Sequence, residues 1–192
     1  SGVASAKDSG AATAPTAKTA KKDKLDKQDK EKAPKDVAPT ADITSLADVV
    51  EQIGANDLWA AGYTGAGIDV AVIDTGVIPI DELSDSNVYI GADFSFERDQ
   101  RELVGVDTYG HGTHMAGIIA GRTPGADPLD PQPGDFIGVA PDARIVSVKV
   151  ADNTGAADVS QVIAAIDWVI ENKQTGNLDI RVINLSYNTT GV

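Results

Sequence analysis

Ile68-Asp69-Val70-Ala71-Val72-Ile73-Asp74-Thr75-Gly76 is the stretch that decides the fold. Ile68, Val70, Ala71, Val72 and Ile73 make a run too short for a stable isolated helix and too continuously apolar for a half-exposed strand. It reads as a strand buried on both faces and closed by the turn residues Asp74-Thr75-Gly76, the pattern of a central strand in a parallel sheet.

Further strands are expected at Val88 to Phe94, Ala143 to Val150 and Ile180 to Ser186. Between them the apolar period changes to that of helices. One helix is expected from Asp48 to Ala61, with Val49, Ile53 and Leu58 apolar and Gly62 as its stop, and another from Gly110 to Gly121. A third is capped by Asp158 and carries Val162, Ile163, Ile166, Val169 and Ile170 on one stripe. The Pro-rich stretch from Thr123 to Gly134 is a loop. Strands alternating with helices predict an α/β fold, a doubly wound and mostly parallel sheet with helices on both faces.

A length of 192 residues suits one main domain. No apolar run approaches the ~18 residues of a spanning helix, so no membrane span is expected. The chain has no cysteine, which excludes a disulfide scaffold, a zinc–cysteine centre, an iron–sulfur cluster and a cysteine nucleophile. A net charge of −13 argues against nucleic acid as a partner, because phosphate contacts need a basic patch. Lysines are concentrated in the first 40 residues, which leaves a strongly acidic remainder. Between Asp8 and Lys35 the one large apolar side chain is Leu25, too little to offset ordering entropy. Residues 1–41 are therefore expected to be a disordered Lys/Ala/Asp-rich leader or linker, and 42–192 the folded part.

In an open parallel sheet ligands bind beyond the carboxyl ends of the strands, where Asp74 stands. A turn Asp bonded to a nearby amide accounts equally well for it from local sequence alone. The segment Tyr109-Gly110-His111-Gly112-Thr113-His114-Met115 holds both histidines of the chain. His111, in the first helical turn, would lie near the sheet's carboxyl edge. His114, one turn deeper, is expected to be a buried, hydrogen-bonded core residue. Two histidines supply too few ligands for a zinc site, and no third is marked. His111 beside Asp74 makes chemical sense, since a carboxylate on Nδ1 fixes the imidazole tautomer and stabilises the imidazolium formed when Nε2 takes a proton.

Val72-Ile73-Asp74-Thr75-Gly76 followed by His111-Gly112-Thr113-His114-Met115-Ala116-Gly117 resembles the subtilisin-like serine proteases. Gly62-Tyr63-Thr64-Gly65, Gly138-Val139-Ala140-Pro141-Asp142-Ala143 and Val182-Ile183-Asn184-Leu185-Ser186-Tyr187 are also similar to that family's patterns. The resemblance covers about Val49 to Val192 and is strongest to secreted bacterial members. It implies a serine-type endopeptidase acting on protein or peptide substrates, with Asp74 as the orienting carboxylate and His111 as the general base. It further implies that Ser186, Tyr187 and Asn188 pair with extended substrate and wall the S1 pocket, although the family usually has Gly where Asn188 stands. No cofactor is required by such chemistry. Calcium binding is common in the family; Asp127, Asp130 and Asp135 are candidate oxygen donors, though a solvated acidic loop is the simpler reading of that stretch.

The family's serine nucleophile and oxyanion-binding Asn lie in segments later than Val192. The chain is accordingly expected to be the amino-terminal part of a catalytic domain, incomplete at its carboxyl end and inactive by itself, with the later part as its partner. The strand from Ile180 would then have an unpaired edge. A non-catalytic binding or scaffold module derived from the same fold is the alternative, and a nucleotide-binding domain is disfavoured by the lack of a Gly-rich phosphate loop after the first strand.

Overall fold

The computed structural model describes residues 45–187, residue 85 excepted. The expected leader, its boundary with the folded part, and Asn188 lie outside the described residues. The elements are α1 (Leu46–Gln52), α2 (Ala55–Ala60), β1 (Asp69–Asp74), β2 (Val88–Asp93), α3 (His111–Ala120), β3 (Arg144–Lys149), α4 (Val159–Asn172) and β4 (Ile180–Asn184).

The strands form a parallel sheet in the order β2-β3-β1-β4. All six residues of β1 are buried: Val70 to Ile73 as the apolar run predicts, and Asp69 and Asp74 at its ends through their partners. Alternate residues feed two cores. On one face Val70 and Val72 pack with Ile145 against Ala116 and Ala120 of α3. On the other, Ala71 and Ile73 join Val146 and Val148 beneath Val162, Ala165 and Val169 of α4. The doubly wound α/β architecture follows directly, because each face of β1 and β3 is covered by a helix.

The single helix expected from Asp48 to Ala61 is instead two. Gly54 takes φ +73°, a left-handed conformation that favours glycine and cannot continue an α-helix, so α1 stops and α2 starts on a new phase. That phase change sets which apolar residues face the core. Val50, Ala55 and Trp59 are buried with Ile137, while Ile53 and Leu58 are exposed. The Trp59 indole N–H donates to the Val139 carbonyl at 3.0 Å, tying this pair of helices to the loop before β3. In α4 the stripe also rotates slightly, burying Ala165 and leaving Ile163 and Ile170 exposed.

Among the described residues β4 is an edge strand, paired with β1 alone. It ends at Asn184, two residues before the expected limit, and its Val182 and Ile183 are exposed.

The two ends of the central β1–β3 ladder are each closed by an ion pair, partly buried at one end and fully buried at the other. Asp69 opposes Arg144 in register, and the guanidinium grips both carboxylate oxygens at 2.8 and 2.6 Å. At the other end Lys149, fully buried, places its ammonium 2.8 Å from Glu97.

Candidate active site

Asp74 is the last residue of β1, and His111 the first of α3. Strand geometry carries Asp74 to the carboxyl edge of the sheet, where the amides of Val150 and Ala151 donate to its main-chain carbonyl at 2.8 and 3.2 Å. The helix delivers His111 to the same place. Its Nδ1 is 2.8 Å from one Asp74 carboxylate oxygen and 2.9 Å from the other. The Asp74 side chain is 3% exposed and the His111 ring 39%. With Nδ1 occupied by the carboxylate, Nε2 is the nitrogen available for proton transfer. One Asp74 oxygen also accepts the Thr75 amide at 2.8 Å, so the turn interaction expected of an isolated Asp exists beside the histidine contact.

The close approach of α3 to β1 depends on Gly112. A Cβ there would run into the Gly76 carbonyl oxygen and lie 3.2 Å from the Asp74 Cβ. No larger residue fits at this crossing without moving the helix that carries His111.

Asp107 holds the helix in place, and sequence reading did not single it out. Buried at 6% exposure, its carboxylate accepts the amides of Gly110 at 2.7 Å and Thr113 at 2.8 Å, together with the hydroxyls of Thr75 at 2.7 Å and Thr113 at 2.5 Å. Burial works to raise its pKa, but the donors from Thr113, Gly110 and Thr75 outweigh it and hold the carboxyl below the usual range. An acid just ahead of a glycine-capped helix was the available signal. Lys149 and Glu97 were also missed. A lysine between Val148 and Val150 in an apolar strand is the mark of a buried partner.

His114 is a correction. It is exposed, because the sheet-facing side of α3 consists of Gly112, Ala116 and Ala120 with Met115 and Ile119 alongside, and His114 points the other way. There it borders a cleft of about 540 Å³ with Ile78, Ile80 and Phe136. Asp107, Gly110 and Thr113 also line this cleft, but neither Asp74 nor His111 does.

A smaller pocket of about 140 Å³ does contain the pair, and Ser186 and Tyr187 line it together with Tyr109 and Ala157. Both follow the end of β4. The Tyr187 hydroxyl donates to the Ala157 carbonyl at 3.1 Å, and Asn184 Nδ2 donates to Ser186 Oγ at 3.1 Å. Thus four of the five expected site residues are brought around one pocket.

Among the described residues no group of three or more His, Asp or Glu side chains is placed to hold a metal ion. Asp127 and Asp135 accept the amides of Leu129 and Gln132, respectively, within their own loop.

The family model for the subtilase family matches residues 65–191. The chain is 34% identical over 160 residues to the minor extracellular protease Epr of Bacillus subtilis (strain 168), covering 81% of this chain and 22% of Epr. It is 39% identical over 137 residues to Subtilisin E of the same strain, covering 71% of this chain and 31% of that protein. A cold adapted subtilisin-like serine proteinase of known crystal structure matches at 34% identity and a TM-score of 0.44, over 57% of this chain and 34% of that one. The chain spans less than a third of either Bacillus protein.

Proposed function

This chain belongs to the subtilase family, and on that basis we propose that it carries the aspartate and histidine of a serine endopeptidase triad. The observation that supports this reading most strongly is Asp74 bridging His111 Nδ1 with both carboxylate oxygens at the mouth of a pocket. In this reading His111 Nε2 takes the proton of a serine hydroxyl as that oxygen attacks a peptide carbonyl. Asp74 keeps the ring in the Nδ1–H tautomer and stabilises the imidazolium, and the same proton then passes to the leaving amine. The serine and an oxyanion donor belong to residues other than those described.

Ser186, Tyr187 and Asn188 are the candidate substrate-binding segment. An extended peptide laid beside them would bring its scissile bond to the pocket that His111 lines. The substrates are proteins or peptides outside the cell, as the similarity to Epr, an extracellular protease by name, suggests. Catalysis by this route needs no cofactor.

The test is labelling of the intact protein by a serine-directed fluorophosphonate, alongside hydrolysis of a denatured protein substrate. Labelling and hydrolysis that both disappear in His111→Ala support the reading. An unlabelled protein whose function survives His111→Ala would instead be a binding or scaffold module.

A further inference from the structure

We propose that Asp107 is the positioning residue for the Asp74–His111 pair, and that the buried Lys149–Glu97 pair holds Asp107 in place. This rests on the endopeptidase reading for its kinetic consequence, while the geometry stands apart from it.

Asp74 and His111 come from different elements, and the bond between them is not what brings those elements together. The residue after each one is. The Gly112 amide donates to Thr75 Oγ1 at 2.9 Å, and the Thr75 hydroxyl donates in turn to Asp107 at 2.7 Å. An ionised carboxylate only accepts hydrogen bonds, so Asp107 dictates the direction of the Thr75 O–H and thereby turns a lone pair towards Gly112. The same Asp107 oxygen takes the amides of Tyr109 and Gly110, and the other takes both donors of Thr113. One carboxylate thus joins the end of β1 to the first turn of α3 without touching the imidazole.

The residues flanking Asp107 are fixed from β3. Lys149 Nζ donates to the Val106 carbonyl at 2.5 Å and to Thr108 Oγ1 at 3.2 Å, while the Thr108 hydroxyl donates to Glu97 at 2.7 Å. Lys149 is the register partner of Asp74, so the support for Asp107 starts from the strand beside the catalytic carboxylate.

The test uses the deshielded Nδ1 proton of His111, a signature of its charge-assisted bond to Asp74, in the intact protein with ¹⁵N-labelled histidine. His114→Gln assigns the signal, since the chain has two histidines. Asp107→Asn and Thr75→Val are expected to exchange this proton with solvent at least about tenfold faster, because the fork that fixes the ring's backbone is lost. Thr75→Ser, which keeps the hydroxyl, should retain the resonance. In peptide hydrolysis, Asp107→Asn should lower kcat with little change in KM, as expected when ground-state binding is intact. A folded Asp107→Asn protein with the wild-type resonance and kcat would overturn the proposal. Should Asp107→Asn fail to fold, the threonine variants decide: divergence of Val from Ser supports it, and identical behaviour refutes it. If the resonance responds as expected while the wild-type protein cleaves no peptide, the positioning role stands and the endopeptidase reading falls.

Discussion

Lys149 and Asp74 are register partners at the carboxyl ends of neighbouring parallel strands, yet the lysine ammonium is committed to Glu97, 2.8 Å away. A cation so close to the site is thereby compensated by its own anion, and the Asp74 carboxylate is left to His111. The arrangement predicts a strong asymmetry between single and double substitutions. Glu97→Ala should cost about 3–5 kcal/mol by leaving the lysine buried and uncompensated, whereas Lys149→Met combined with Glu97→Leu should recover much of that loss. Urea unfolding followed by the fluorescence of Trp59 and Trp168 measures both. Equal losses in the single and double variants would mean that the pair is not an energetic unit.

Gly112→Ala should disable the site and weaken the fold together. The new methyl meets the Gly76 carbonyl and the Asp74 side chain, so α3 must shift, at about 1–3 kcal/mol for overpacking. The deshielded His111 proton and the unfolding midpoint should change together. A stable variant with an undisturbed resonance would show that the crossing has more room than its geometry allows.

Ser147 makes the opposite prediction. Its hydroxyl is buried at 1% exposure in β3 with no hydrogen-bond partner among the described residues. Ser147→Ala removes a desolvated polar group, and it should leave stability unchanged or raise it by about 1 kcal/mol in denaturant titration. A loss above about 2 kcal/mol would point to a partner such as an ordered water.

Acid should unfold the domain through a small set of carboxylates. For Asp69, burial works to raise the pKa but Arg144 and the Asp179 amide bring it below 3.8; for Glu97, burial is likewise overcome by Lys149 and Thr108, bringing it below 4.5. Asp107 is lowered as well. Each such group binds a proton more readily when unfolded, so its contribution is fully present above the unfolded value and is lost as pH falls through the folded one. Stability should be flat in this respect near neutrality and decline below about pH 4–5. Asp69→Asn should flatten that decline as well as lower the plateau. An unchanged slope in the variant would assign the acid transition to other groups.

Much of this was legible in the sequence for physical reasons. β1 is read correctly because a fully buried strand needs an unbroken apolar run, and Asp74 because the first acid after such a run must stand at the sheet edge. His111 follows from a helix that opens on it. The split between α1 and α2 was hidden because Gly54 is compatible with a helix at modest cost, and only the left-handed backbone reveals the break. His114 was misjudged because α3 presents its smallest residues to the sheet, contrary to the usual assignment of the large apolar side as the buried one. Asp107 had local donors in Tyr109, Gly110 and Thr113, but its link to Thr75 and the pairing of Glu97 with Lys149 join residues far apart in the chain, and spacing carries no trace of them.

The charged residues at the two ends of the β1–β3 ladder also guard its alignment. Asp69–Arg144 marks one end and Lys149 with Glu97 the other, with apolar residues and Ser147 between them. A slip of one residue would turn every side chain of β3 to the opposite face and strand a guanidinium and an ammonium among Val and Ile. Misaligned pairings are therefore heavily penalised, because they separate Lys149 and Arg144 from the partners that the connecting segments supply. The spacing of two cations along one strand acts as a ruler against which the position of Asp74 is set.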